Sequence, residues 1–196
     1  MRRILHNFLR DQSGAAMVEF TLIFFLLIGT TFAVIDIGYA LWQWSSAEKA
    51  TQLAVRQAIV SNPLAEGLEN FDCNNADVVL GTGCNDVNAT TFGVVTCAGA
   101  TKTCSGGYDY STTEATRLLT RIQQVYPRVQ ESHLILEYED LRLAFAGRGS
   151  PVASVTVRLV GMTFEFLVLG TFINSGQIAM PDFRATLSTE DLRSGG

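Results

Sequence analysis

One apolar run near the N-terminus limits what this chain can fold into more than any other feature. Between residues 15 and 35 the only ionisable side chain is Glu19, and the next is Asp36. About 20 apolar residues, at about 1.5 Å each in an α-helix, cross a hydrocarbon layer of about 30 Å. Within one segment, only a helix satisfies its own backbone polar groups in lipid. The run therefore predicts a membrane-spanning helix that carries the rest of the chain.

The charges beside the run predict its orientation. Arg2, Arg3 and Arg10 precede it, and no Lys or Arg follows until Lys49. Basic residues are in excess on the cytoplasmic side of membrane helices. We therefore expect a single pass with a cytoplasmic N-terminus, and the chain after about residue 40 outside the membrane.

Glu19 is the exception within the run. A carboxylate at the centre of a bilayer costs about 2.5–3.5 kcal/mol on insertion scales, and less near the interface. One interpretation is that Glu19 lies shallow enough to reach the lipid headgroups. The other is that it pairs with a positive group supplied by another protein. A free α-amino group is such a partner, and a cut after Gly14 would create one and make Glu19 the fifth residue of the mature chain.

The residues around Glu19 resemble a known processing motif. Gly14 is followed by residues 15–18 (Ala-Ala-Met-Val), then by Glu19 and Phe20. Type IV prepilins and pseudopilins carry a glycine, four mostly small or apolar residues, a glutamate and an aromatic residue in this order. Residues 11–42 are similar to the TadE-like family, the minor pseudopilins of the tight-adherence (Flp pilus) machinery. Phe20 departs from the tyrosine common in Flp-type motifs, so the ring is retained and the hydroxyl is lost.

This resemblance implies a role in processing and assembly. A prepilin peptidase would cut between Gly14 and Ala15 and remove residues 1–14 as a cytoplasmic leader. Glu19 would then bind the new α-amino group of its own chain or of a neighbour. The implied partners are that peptidase, other pilins and pseudopilins, inner-membrane pilus-assembly proteins and lipid. The implied location is the bacterial inner membrane with a periplasmic C-terminal domain, and the pilus is a further implied location.

Two other interpretations place the chain outside the pilus machinery. An ordinary signal peptide would end at Gly38-Tyr39-Ala40. However, the apolar run is longer than the roughly 7–15 residues usual in such peptides, and Glu19 interrupts its start. An uncleaved signal anchor would leave a single-pass binding or sensing module in the envelope. A cut after Gly14 is required only by the pseudopilin interpretation.

The helical pattern continues beyond the apolar run. Small residues recur at spacings of three and four, namely Ala47, Ala50, Ala54 and Ala58. Such spacing gives one face of a helix, and Asn62-Pro63 ends it. We expect one helix over residues 15–60. Its alanine face packs either against its own domain or against another subunit, and the sequence leaves both open.

Residues 61–196 predict a small exported α+β domain. Residues 111–125 have the apolar stripe of a packing helix, and Ser111 with Glu114 fits a capping box. Apolar residues recur at every second position, as in half-buried strands, over residues 134–138, 141–145, 155–159 and 183–187. The recurrence changes from even to odd positions at Glu139-Asp140, which implies a bulge or a tight turn there. Residues 164–168 follow Gly161 and suggest a hairpin partner for 155–159. Fold class is therefore α+β, with an antiparallel sheet laid against the long transmembrane helix.

The loop-rich stretch over residues 61–110 carries all four cysteines: Cys73, Cys84, Cys97 and Cys104. An even number in an exported segment with little core predicts two disulfides. Four cysteines allow three pairings, of which we expect neighbour pairing, Cys73–Cys84 and Cys97–Cys104. A zinc site is the alternative, but no Cys-x2-Cys pair occurs and His133 is 29 residues beyond Cys104.

Charge and residue types argue against nucleic-acid binding and catalysis. The chain holds 14 basic and 19 acidic residues, a net charge of −5. Loss of Arg2, Arg3, Arg10 and Asp11 with the leader would bring it to −7, which is unfavourable for nucleic acid. His133 is the only histidine outside the leader, and no nucleophile motif lies near it. We expect no enzymatic activity, cofactor or metal.

Overall fold

The computed structural model describes residues 13–71, 79–83, 92–143, 145–146, 152–168, 170 and 177–189. These residues divide into two compact units. The first contains the described residues up to Trp42 together with those of Glu165–Ile178. The second contains the described residues of Gln43–Phe164 and those from Ala179 onward. Cys73 and Cys84 lie outside the described residues.

The predicted long helix is present as α1, Ser13–Ala58, a single element of 46 residues. Its last turn is closed by local hydrogen bonds. The N–H of Ile59 donates to the Val55 carbonyl at 3.1 Å, and the Ser61 hydroxyl donates to the Gln57 carbonyl at 2.9 Å. Pro63 then lacks the N–H that another turn would need.

The alanine face of α1 packs inside the second unit. Ala47, Ala50 and Ala54 are fully buried and Ala58 nearly so, and all four belong to one cluster with the side chains of the sheet. Small side chains let a helix approach a neighbouring layer closely, as they do between membrane helices. Of the two alternatives left open by the sequence, the structure supports packing against the chain's own domain.

An antiparallel sheet of five strands forms the other side of this cluster. The described part of the chain has nine strands, five of which form this sheet. In chain order they are β1 Ala65–Glu66, β2 Val94–Ala98, β3 Thr103–Cys104, β4 Asp109–Tyr110, β5 Leu134–Asp140, β6 Ala153–Leu159, β7 Thr163–Glu165, β8 Gln177–Ala179 and β9 Phe183–Ser188. The spatial order in the large sheet is β3-β2-β5-β6-β9, while β1 pairs with β4 and β7 with β8. The α+β class is therefore confirmed.

The central strand β5 supplies the middle of the core. Leu134, Leu136 and Tyr138 alternate with half-buried residues and are themselves fully buried. The Tyr138 hydroxyl accepts the N–H of Leu64 at 2.9 Å, which joins the segment after α1 to the sheet. Burial raises the pKa of Tyr138, so the hydroxyl stays protonated.

The packing helix α2 covers Thr112–Gln123, within the predicted range. Ala115, Leu118 and Ile122 form its buried stripe. Ser111 is the N-cap but its side chain makes no capping hydrogen bond, so the predicted capping box is wrong. The Glu114 carboxylate instead accepts from the Arg117 guanidinium one turn later, at 3.1 Å.

Two strand predictions are wrong. The turn implied by the change of alternation at Glu139-Asp140 is present, since the Asp140 Oδ1 accepts the N–H of Arg142 at 2.8 Å. However, residues 141–143 do not form the strand predicted to follow it. Arg142 has φ 54°, which ends the extended backbone. The hairpin between β6 and β7 is also absent, since β5 and β9 occupy the two edges of β6.

Cys97 and Cys104 form a disulfide between directly opposed positions of β2 and β3. This is one of the two pairs expected from neighbour pairing. The bridge closes a loop with a sequence separation of 7 residues, and Cys97 is fully buried in the core. A covalent link here restricts the unfolded chain and holds the short β3 against the sheet.

Candidate processing and assembly segment

Gly14 and Ala15 lie in the first turn of α1. A Cβ atom built on Gly14 would meet no atom within 4 Å among those considered. A larger side chain at this position would therefore not clash with the described part of the chain.

Glu19 lies on the exposed surface of the same helix, one turn after Ala15. Among the described residues its carboxylate has neither an ion-pair nor a hydrogen-bond partner. Phe20 follows it and stacks on Phe24, with ring centroids 6.0 Å apart and an interplanar angle of 13°. A carboxylate in an apolar helix is costly in lipid unless its charge is paired.

The surface that follows Glu19 is apolar and exposed. The exposed side chains include Leu22, Ile23, Phe24, Phe25, Leu26, Leu27, Val34 and Ile35. A helix of this length and mean hydropathy, 2.3 over its most apolar window, can cross a membrane. This fits a single-pass membrane protein.

The hydroxyl groups in this apolar stretch are satisfied inside the helix. Thr21 donates to the Met17 carbonyl at 2.7 Å, and Thr31 donates to the Leu27 carbonyl at 2.7 Å. Thr30 donates to the same Leu27 carbonyl at 2.9 Å. Because an unpaired hydroxyl is costly away from water, these bonds remove an obstacle to placing the segment in lipid.

Asp36, the first ionisable residue after the run, is fully buried. Its Oδ1 accepts the N–H of Leu167 at 2.8 Å and that of Val168 at 3.1 Å. Its Oδ2 also accepts from Val168, at 3.2 Å. All three residues belong to the first unit. These hydrogen bonds hold the backbone of residues 167–168, a distant part of the chain, against α1.

One known protein family matches the N-terminal part of the chain. Residues 14–56 match the TadE-like protein family. The match covers the same part of the chain as the resemblance seen in the sequence. Searches of the curated proteins and of the solved structures found no match for the chain.

The TadE-like segment, residues 14–56, contains Gly14, Glu19 and Asp36. The sequence singled out the first two, and the structure places them one to two turns apart on α1. The sequence pattern marks Asp36 as the end of the apolar run and assigns it no role. An acidic side chain beside a membrane-length segment is itself a functional signal, and that signal could have identified it.

The aromatic residues after Asp36 divide between the two units. Tyr39 and Trp42 stack with ring centroids 5.7 Å apart in the first unit. Trp44 packs in the second unit against Phe164 and Phe183, with centroids 6.2 and 5.1 Å away. Trp44 therefore contributes to the packing of the second unit. Tyr39 and Trp42 follow the apolar run closely, where a belt of aromatic residues at the membrane interface is expected.

A shallow cleft of about 280 Å³ lies beside Trp44 in the second unit. Charged side chains line it, including Glu48 and Asp182 on opposite elements and Arg184 on β9. It is below the usual size of a small-molecule site, about 300–1,000 Å³. The cleft therefore gives little support to a ligand-binding role.

His133 should make the stability of the second unit depend on pH. Its Nδ1 accepts the N–H of Gln130 at 3.2 Å, which requires an unprotonated Nδ1. Burial lowers the pKa of His133 from its ordinary 6.5. The unfolded chain therefore binds this proton more readily, so the stabilising contribution is present above about pH 6.5 and is lost as the pH falls.

The test is the denaturation midpoint of the wild type and of His133→Gln, each at about pH 7.5 and about pH 5. The wild type should lose more stability on acidification than the variant, which has no imidazole to protonate. Equal losses would show that His133 does not contribute.

Proposed function

We propose that this chain is a TadE-like minor pseudopilin that takes part in assembly of a Flp/tight-adherence pilus and is matured by a prepilin peptidase after Gly14. The observation that carries the proposal is the arrangement at the start of α1. A glycine, an exposed Glu19 without a partner among the residues that the structure describes, and a membrane-length apolar surface follow one another on one helix. The TadE-like match covers this same segment.

Cleavage after Gly14 supplies the partner that Glu19 lacks. The new α-amino group of Ala15 carries a positive charge below its ordinary pKa of about 7.7–8.0. A glutamate in a pilin bundle is tolerated when its charge is paired. Because the exposed apolar surface surrounds Glu19 on α1, packing against neighbouring pilin helices would bring the carboxylate and an α-amino group together away from water.

The same proposal fixes the topology and the partners. The basic leader stays in the cytoplasm, α1 crosses the inner membrane, and the disulfide-bonded α+β unit lies in the periplasm, where such bonds persist. The peptidase, other pilins or pseudopilins and the inner-membrane assembly proteins are the partners. In this scheme the chain is a substrate of the peptidase and a structural subunit, with no catalytic role of its own.

The role of Glu19 is tested by Glu19→Ala, with Glu48→Ala as the matched control. Both glutamates are exposed on α1, but Glu48 lies beyond the apolar run. Glu19→Ala should still be cut after Gly14 but should impair piliation. Removing one partner of a buried ion pair costs about 3–5 kcal/mol, which is a factor of more than about 100 in an assembly equilibrium.

Glu48→Ala should be cut and should assemble like the wild type. The measurements are the mass of the mature chain, the amount of surface pilus and surface adhesion. Normal adhesion with Glu19→Ala would contradict the assigned role of the carboxylate. An uncut Glu19→Ala chain would instead place Glu19 in peptidase recognition.

A further inference from the structure

Apolar side chains beside Asp36 have no role in the scheme above. Leu167, whose N–H donates to Asp36, is 58% exposed. On the helix side, Ile35 and Ile37 are also exposed. Exposed apolar residues that lie together commonly mark a surface that contacts a partner or a membrane.

The Asp36 hydrogen bonds fix the level of Leu167 along α1. Because the Leu167 and Val168 N–H groups donate to Asp36 at 2.8 and 3.1 Å, the backbone at residues 167–168 cannot lie far above or below that residue. Asp36 directly follows the run over residues 15–35. About 20 helical residues account for the whole hydrocarbon thickness of about 30 Å. If the run spans the bilayer, Asp36 and the backbone bonded to it lie at its outer border.

We propose that residues 166–168 are a second membrane contact of this chain, in which the Leu167 side chain enters the interface of the same phospholipid bilayer that α1 crosses. The inference rests on the proposed function in one respect, since it requires that α1 spans the membrane. Asp36 is then a positioning residue that holds the contact at its depth. The ligand is the boundary between lipid headgroups and acyl chains, where apolar side chains and aromatic rings are favoured.

Lipid is the occupant that the geometry favours. The level of Leu167 is set by bonds within the first unit and needs no second protein to form. The Asp36 carboxylate is fully buried and its oxygens accept backbone N–H groups, so its charge is shielded from the acyl chains. The stacked Tyr39 and Trp42 lie one to two helical turns further on, where amphipathic rings reach the headgroups.

The experiment places the photoreactive residue p-benzoylphenylalanine in the full chain, reconstituted in vesicles of phosphatidylethanolamine and phosphatidylglycerol. Position 167 is compared with position 26 in the apolar run and with position 143 in the second unit. Leu26, Leu143 and Leu167 are all exposed leucines, which makes the three substitutions equivalent. Covalent adducts are identified by the mass of the attached lipid or protein.

We expect lipid adducts at position 167 close to the yield at position 26 and about tenfold above that at position 143. In an Asp36→Ala background the yield at 167 should fall toward that at 143, while the yield at 26 stays unchanged. Trp44 fluorescence checks that the second unit of this variant remains folded. If the Asp36→Ala variant does not fold, the comparison of positions 26, 143 and 167 in the chain that retains Asp36 still tests the proposal.

Equal lipid yields at 167 and 143, with strong labelling at 26, would overturn the inference and leave the proposed function intact. Adducts between position 167 and a second protein chain would also overturn it, because a protein would then cover this surface. No lipid adduct at position 26 would show that α1 is not in the bilayer, which would defeat the proposed function as well. An unchanged yield at 167 in Asp36→Ala would remove the positioning role of Asp36.

Discussion

Gly14→Leu should leave the chain at its full length in cells that contain the prepilin peptidase, whereas the wild type loses residues 1–14. The expected effect is complete loss of the mature form, because the enlarged side chain occupies the position next to the scissile bond. A Cβ at Gly14 meets nothing within 4 Å in the described part of the chain, so the substitution introduces no clash at that atom. Leucine is also the better helix former, by roughly 0.5–1 kcal/mol.

Gly29→Leu is the matched control for this substitution. Gly29 lies on the same helix, and a Cβ there also meets nothing within 4 Å. It should be cut like the wild type. The measurement is the intact mass of each purified chain. Normal cutting of Gly14→Leu would show that the peptidase does not read Gly14, and failure of both variants would point to a general defect in membrane insertion.

Leu136→Ala should lower the free energy of unfolding by about 2–5 kcal/mol, the range for removing a large apolar side chain from a packed core. Leu136 lies in the central strand, opposite Cys97 on β2 and Val157 on β6. All three side chains are fully buried. The cavity left behind lies in the core cluster that contains Cys97, the buried side chains of the sheet and the alanine face of α1.

Ile135→Ala is the control, because Ile135 is the preceding residue on β5 and its side chain is only half-buried on the other face. It should cost clearly less than Leu136→Ala. Chemical denaturation of the detergent-solubilised chain measures both, with Trp44 as the fluorescent probe packed against Phe183 in the same unit. An equal or greater loss for Ile135→Ala would contradict the assignment of the buried face.

The helices were predictable because their signals are local. The apolar run, the recurring alanines and Pro63 together indicate a helix over residues 15–60, and α1 covers Ser13–Ala58. The amphipathic stripe that includes Leu118 and Ile122 likewise identified α2. Spacing at a helical period describes which side chains share a face and needs no knowledge of distant segments.

Strand partners were less predictable because pairing joins distant residues. Residues 164–168 follow β6 closely, which favours a hairpin, yet β9 takes that edge of β6 from Phe183 onward. Leu141, Leu143 and Phe145 recur at every second position, but Leu143 and Phe145 are exposed after the turn at Arg142. Alternation alone cannot tell a half-buried strand from an exposed segment.

The role of Asp36 depends on a contact that no local pattern reveals. Its partner Leu167 lies 131 residues further along the chain. The acidic side chain at the end of the apolar run was visible in the sequence, but the two backbone N–H groups that bind it belong to a segment without any motif. The motif at Gly14 and Glu19 was visible because its residues are neighbours in the sequence.

The mature N-terminus is the measurement that tests the account most directly. Intact mass and N-terminal peptide mapping should be compared in cells with and without the prepilin peptidase. The account predicts a chain that begins at Ala15 only when the peptidase is present, and a full-length chain when it is absent. A chain that begins at Leu41, or one that is uncut in both strains, would contradict the pseudopilin assignment.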